Sequence, residues 1–128
     1  MKVGLLIITH NNIGEQLLKT ASIMLGNNPL NTVNMNIDTD CDLEHSMQKA
    51  KSSITELNQG DGVLVLTDMY GSTPSNIANS LAEDGNVVVI AGINLPMLIR
   101  AMNYPRLNLK QLADKALSGG HDGILICK

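Results

Sequence analysis

Three short runs constrain this chain more than anything else in it: Val3-Gly4-Leu5-Leu6-Ile7-Ile8-Thr9, Val63-Leu64-Val65-Leu66-Thr67 and Val87-Val88-Val89-Ile90-Ala91. Each is apolar almost throughout. A strand with one wet face alternates apolar and polar residues. A strand without that alternation must be covered on both faces, as happens in a parallel sheet sandwiched by helices. Thr32 to Ile37 reads as a shorter strand, alternating at Val33, Met35 and Ile37.

The segments between these runs have helical spacing. Asn12 stands where a helix cap belongs, with Glu15 in capping-box register, and Leu17, Ala21, Met24 and Leu25 recur until Gly26-Asn27. Leu43, Met47, Ala50, Ile54 and Leu57 form one stripe. A third helix is expected from about Pro74 to Glu83, with Thr73 as its N-cap and Pro74 in its first position. Asn94 can cap a short helix through Met102, and Pro105 breaks it. Leu109, Leu112, Ala113, Ala116 and Leu117 mark a last helix, ended by Gly119-Gly120, before a short terminal strand at Ile124–Cys127. Strands alternating with helices predict an α/β fold: a doubly wound, mainly parallel sheet of order 2-1-3-4 flanked by helices, in one domain spanning 1–128. The last strand, short and terminal, is a candidate edge strand that can pair with another subunit. Its direction is left open by the pattern.

In a doubly wound sheet, ligands sit beyond the carboxyl ends of the strands where the strand order reverses. Here that point lies between the first and third strands. The first ends in Thr9-His10-Asn11-Asn12 and the third in Thr67-Asp68-Met69-Tyr70-Gly71-Ser72-Thr73-Pro74. His10 and Asp68 therefore arrive side by side. A carboxylate that accepts one imidazole N–H fixes the tautomer and leaves the other ring nitrogen as a nucleophile. A lone histidine is more often a surface residue, and His45 and His121 are read that way. The next helix begins right after Gly71-Ser72-Thr73, and its free N–H groups suit a phosphate-like anion. Ordinary capping explains the same residues without a ligand, but beside His10 and Asp68 they suggest phosphoryl transfer through a phosphohistidine.

Composition excludes alternatives. Nine basic against twelve acidic residues give a net charge of −3, with no Lys/Arg run or aromatic–basic interleaving, so nucleic acid is not the expected partner. No run spans a bilayer, and Met1–His10 lacks the pattern of a signal peptide, so a cytoplasmic protein is expected. Cys41 and Cys127 form no CxxC pair and are expected as free thiols; no metal-ligand spacing exists. GxGxxG and GxxxxGK[ST] are missing, as are the Cys-Arg loop of a phosphatase and the acidic pair of a receiver domain. With no Phe or Trp and two Tyr, the core must be aliphatic, completed by the seven methionines.

The chain resembles the enzyme IIA component of the mannose-class (mannose/fructose/sorbose) phosphoenolpyruvate:sugar phosphotransferase system. Four segments carry the resemblance over essentially the whole chain: Gly4–His10, Glu15–Ala21, Leu66–Asn76 and Val89–Leu98. It implies that His10 accepts a phosphoryl group from the phosphocarrier HPr and passes it to enzyme IIB. It also implies that Asp68 hydrogen-bonds the His10 ring, and that Gly71, Ser72 and Thr73 supply donors to the phosphoryl oxygens. No metal or organic cofactor is implied, nor any insertion into the membrane. Family members are homodimers that exchange a C-terminal antiparallel strand, which here is Ile124–Cys127.

The chain departs from the family in places. Ser72-Thr73 stands where many members have Gly-Ser. Tyr70 can line a docking surface or simply pack. Arg100, and with it Asn94, can meet an incoming phosphoprotein, although a solvated helix face explains Arg100 equally well. Many relatives continue into a IIB domain that this sequence lacks, so the acceptor is expected on another chain. The expected function is sugar uptake by the phosphotransferase system. The alternative is a standalone regulatory phosphocarrier that signals phosphorylation state with no dedicated permease. A third, the phosphocarrier domain of dihydroxyacetone kinase systems, fits Asn94-Leu95-Pro96-Met97 less well.

Overall fold

The four apolar or alternating runs become β1 (Gly4–His10), β2 (Thr32–Ile37), β3 (Val63–Thr67) and β4 (Val87–Ala91). They form one sheet of order β2-β1-β3-β4, and every pairing in it is parallel. The computed structural model describes residues 2–128. Between and after the strands run α1 (Ile13–Leu25), α2 (Leu43–Leu57), α3 (Thr73–Leu81), α4 (Leu95–Met102) and α5 (Leu109–Asp122).

Strand side chains alternate between two layers of core. Leu5 and Ile7 of β1, Leu64 and Leu66 of β3 and Ile90 of β4 face one way and pack on α1, α4 and α5 through Ala21, Leu98, Ala101, Leu112 and Ala116. Leu6, Ile8, Val63, Val65 and Val87 face the other way, onto Ala50 and Ile54 of α2 and Ile77 and Ala78 of α3. Register explains the sorting: Leu5 lies beside Leu64, Leu6 beside Val65 and Ile7 beside Leu66. Leu5, Leu6, Ile7, Ile8, Leu64 and Leu66 are all 0% exposed, and each such side chain contributes about 2 kcal/mol by leaving water. The core is free of aromatics, as composition required. Methionine fills less of it than expected: Met35, Met97 and Met102 are buried, whereas Met24 and Met69 are exposed.

Local details differ from the sequence reading. Asn12 occupies the N-cap position of α1, but its side chain caps nothing. The buried Thr9 hydroxyl takes that part, accepting the Gly14 N–H at 2.8 Å. Glu15 reaches instead to Asn36, whose Nδ2 donates to it at 3.1 Å. The N-cap of α3 is Ser72, one residue before the expected Thr73, so Pro74 is the second helical residue. Asn94 caps α4 as expected, accepting the Met97 N–H at 2.9 Å.

The largest differences are at the end of the chain. Gly119-Gly120 does not stop α5, which continues to Asp122. The two glycines are there for contact: a Cβ on Gly119 would lie 2.7 Å from Arg100 Cβ and 3.1 Å from the Pro96 carbonyl, and one on Gly120 would lie 2.8 Å from Met97 Cε. They let α5 lie against α4. The segment Ile124–Cys127, expected as an edge strand that pairs with another subunit, forms no strand within this single chain; Ile124, Leu125 and Ile126 are 75%, 69% and 85% exposed.

Replacing Gly119 by Ala tests this packing. In an open helix the change stabilises by up to about 1 kcal/mol. Here the Cβ meets α4, and a loss of about 1–3 kcal/mol is expected. Urea denaturation reads the sign directly, and a gain would show that α4 and α5 are not in close contact at this point.

Candidate active site

The sheet puts the ends of β1 and β3 next to each other, with Ile8 beside Thr67 in the register. The residues that follow are His10 and Asp68. Asp68 Oδ2 accepts two hydrogen bonds from His10, one from the backbone N–H at 2.9 Å and one at the ring Nδ1, 2.7 Å away. Its Oδ1 accepts the Met69 N–H at 2.9 Å. The far side of Asp68 is also held. The chain turns after β4 so that the Gly92 N–H bonds both the Thr67 and Asp68 carbonyls at 2.9 Å, and the Ile93 N–H bonds Thr67 at 3.0 Å.

Burial of the Asp68 carboxyl pushes its pKa up. The hydrogen bonds from the His10 N–H, the His10 ring and the Met69 N–H, with the attraction of the His10 ring, outweigh that and hold it below its ordinary 3.8. Asp68 is therefore a carboxylate at neutral pH and has no proton to give. His10 Nδ1 must carry the hydrogen, which leaves Nε2 with a free lone pair. The ring side chain is 38% exposed and the carboxylate 13%: the imidazole is reachable from solvent while its partner is sheltered.

His10 lines a cleft of about 250 Å³ with Asn11, Ile37, Asp38, Thr39, Cys41, Thr73 and Pro74. Thr73 thus shares the cleft with the imidazole. It is the first residue of α3, whose opening N–H groups have no partners within the helix, and the Ser72 side chain does not cap them. Ser72 is otherwise engaged: its hydroxyl donates to the Met69 carbonyl at 2.6 Å. Gly71 sits at φ +85 with no atom near where a Cβ would be, so backbone conformation, and not crowding, selects glycine there.

The remaining sequence candidates lie elsewhere. Tyr70 is 80% exposed at the tip of the β3–α3 loop. The Asn94 side chain is occupied, accepting from Met97 and donating to the Gly120 carbonyl at 3.1 Å. Arg100 pairs with Asp122 of α5 at 2.9 Å, on a separate cleft it shares with Pro96, Ile99, Asn103 and Tyr104. His45 and His121 are exposed. Cys41 and Cys127 are free thiols. Among the described residues no helix is long and apolar enough to cross a membrane.

Sequence reasoning missed the wall of the cleft contributed by the β2–α2 loop: Ile37, Asp38, Thr39 and Cys41. The signal was available, because β1 has a neighbour on each side. His10 lies beside Ile37 in the β1–β2 register, so the end of β2 borders the site as closely as the end of β3. Asn11 was also overlooked.

A carboxylate-bound histidine at the switch point of a parallel sheet, facing a helix N-terminus, defines a class of site suited to receiving a phosphoryl group. Comparison with known proteins agrees with that class. The sequence model of the family described as PTS system fructose IIA component matches residues 4–117, and the chain belongs to this family. It is 30% identical over 131 residues to the PTS system mannose-specific EIIAB component of Escherichia coli (strain K12), the match covering 100% of this chain and 40% of that protein. The chain thus spans well under half the length of that relative. It is also 30% identical over 82 residues to the PTS system fructose-specific EIIA component of Bacillus subtilis (strain 168), covering 62% of this chain and 56% of the relative. The mannose/sorbose specific IIA subunit from Enterococcus faecalis superposes with a TM-score of 0.84 at 27% identity, covering 100% of this chain and 96% of that one. The phosphotransferase system component EIIA from Streptococcus agalactiae shares the fold, with a TM-score of 0.84 at 24% identity over 97% of this chain and 96% of that one. The mannose-class resemblance read from the sequence is borne out.

The lowered pKa of Asp68 makes a prediction about acid stability. As pH falls, the unfolded chain takes up this proton first, near 3.8. The folded carboxylate therefore contributes stability that is complete above that value and is lost as pH drops through its lower folded value. Urea midpoints measured downward from about pH 5 should fall more steeply for the native chain than for Asp68→Asn. Parallel curves would mean that the three hydrogen bonds leave the carboxyl unshifted.

Proposed function

We propose that this chain is a phosphocarrier of the phosphotransferase system: His10 takes a phosphoryl group from phospho-HPr and gives it to an enzyme IIB domain in sugar uptake. The reading places the protein in the cytoplasm, with 1–128 acting as one IIA domain. The observation that carries it is the 2.7 Å contact between His10 Nδ1 and Asp68 Oδ2.

That contact dictates the chemistry. The neutral ring attacks phosphorus through the Nε2 lone pair. The P–N bond of the donor's phosphohistidine breaks, its electron pair returns to the donor nitrogen, and the donor leaves as a neutral imidazole. His10 becomes a phosphoimidazolium that keeps its Nδ1 proton, and the carboxylate of Asp68 stabilises the new positive charge. Donors near Thr73 at the start of α3 face the phosphoryl oxygens, with Gly71 and Ser72 shaping the loop. The exposed Tyr70 at the tip of the β3–α3 loop is a candidate contact for a docking partner, while Asn94 and Arg100 serve the α4–α5 pair. Transfer to IIB repeats the same exchange in reverse and needs no cofactor.

The reading includes a homodimer. β4 is an edge strand, and the exposed apolar residues Ile124, Leu125 and Ile126 are suited to cover a partner's edge as an exchanged antiparallel strand. Removal of residues 124–128 should then convert a dimer to a monomer by light scattering. An unchanged mass would remove the exchange.

Purified chain incubated with enzyme I, HPr and labelled phosphoenolpyruvate should take up one acid-labile phosphate per chain. His10→Ala should take up none. Asp68→Asn should fold and still be labelled, slower by on the order of 100-fold, because tautomer control is lost. Labelling of His10→Ala would overturn the site, and a normal rate in Asp68→Asn would remove the carboxylate from the mechanism.

A further inference from the structure

Asn11 follows the nucleophile directly and has the left-handed backbone angle φ +47, the only positive φ at a non-glycine among the described residues. A Cβ is strained in that region, whereas glycine sits there freely. Asparagine is one of the few other residues that tolerate it. The turn itself therefore asks for nothing more than glycine, yet the position carries a carboxamide. Strain of this kind beside a reactive group points to use of the side chain.

The backbone of Asn11 is engaged: its N–H donates to the Ile37 carbonyl at 2.9 Å, which continues the β1–β2 pairing past His10. Its side chain is exposed and lines the same cleft as His10. Among the described residues the carboxamide has no hydrogen-bond partner. The rest of the cleft is mixed. Ile37 and Pro74 are apolar, Thr39 and Cys41 bring a hydroxyl and a thiol from the β2–α2 loop, and Asp38 is a carboxylate whose Oδ1 accepts the Asp40 N–H at 3.2 Å. A phosphoryl group carries a charge near −2, so Asp38 repels it. Thr73 at the start of α3 provides a donor from one side. On the β1 side, the neutral donor is the Asn11 amide.

We propose that Asn11 Nδ2 donates a hydrogen bond to an oxygen of the phosphoryl group carried on His10 Nε2. This makes Asn11 a catalytic residue in contact with the transferred group. The proposal rests on His10 as the acceptor, as argued above. The P–N exchange is unchanged by it, since the carboxamide keeps both its protons. The hydrogen bond strengthens as charge collects on the equatorial oxygens, so it favours the transition state over the free enzyme.

Two variants separate the side chain from the turn. Asn11→Gly keeps the left-handed turn without strain and deletes the amide. Asn11→Asp keeps size and conformational tolerance but exchanges a donor for a charge. Both are phosphorylated with phospho-HPr and, separately, with phosphoramidate, a small donor that needs no docking surface. Asn11→Gly should be at least as thermally stable as the native chain, yet label His10 some 10- to 100-fold more slowly with both donors. Asn11→Asp should be slower still. If native chain labels on His10 and both variants match its rate, the Asn11 assignment alone falls. It falls also if Asn11→Asp matches the native rate while Asn11→Gly is slow and less stable, since the residue then serves only the backbone. If the native chain labels elsewhere than on His10, the phosphocarrier reading falls with it.

Discussion

One oxygen atom organises the reactive end of this protein. Asp68 Oδ2 receives the His10 backbone N–H and lies within hydrogen-bond distance of the ring Nδ1 of the same residue. Because both donors belong to one residue, the carboxylate holds chain and ring together and leaves the imidazole little freedom to turn. The dependence is mutual. Asp68 stays ionised despite its burial because those donors outweigh the cost of desolvation, and the ring keeps its proton on Nδ1 because Asp68 is ionised. The sheet supplies the geometry. Adjacent parallel strands are about 4.8 Å apart by backbone bonding alone, which brings the two residues together, and the turn after β4 fixes the Asp68 carbonyl through the Gly92 N–H.

That is also why this pair was legible in the sequence. Apolar strands wet on neither face announce a parallel sheet, sheet order follows from right-handed crossovers, and the residues after two neighbouring strands must then converge. What escaped depends on contacts distant in sequence. Gly119-Gly120 looks like a helix stop to any local rule, and only the approach of Pro96, Met97 and Arg100 shows why glycine belongs inside α5. The competition between Thr9 and Asn12 to cap α1 is a matter of angstroms, and so is the shift of the cap from Thr73 to Ser72. The wall from the β2–α2 loop was missed because the switch point directs attention to one neighbour of β1, although that strand has two. Ile124–Cys127 has the composition of a strand, but a strand forms only against a neighbour, and within a single chain this segment has none.

The hollows of the surface differ in size and in the chemistry they gather. The open hollows of 440 Å³ between α2 and α3 and 530 Å³ beside α4 are larger than the cleft at His10, yet neither gathers a nucleophile and a perturbed carboxylate. The cleft beside His10 and Asp68 has a volume of about 250 Å³. That is small for a pocket that encloses a free small molecule and ample for a phosphoryl-sized group.

The bond from the Ser72 hydroxyl to the Met69 carbonyl, 2.6 Å long, has a consequence beyond the helix it begins. With the Ser72 N–H on the same carbonyl at 3.2 Å, it ties the β3–α3 loop across its base. Met69 and Tyr70 are left 61% and 80% exposed on a backbone that is already fixed. Ordering a flexible loop is part of the cost of any association. Here part of that entropy was lost when the chain folded: the turn holds the backbone under both side chains, and mainly their rotamers are left to order in any contact made there.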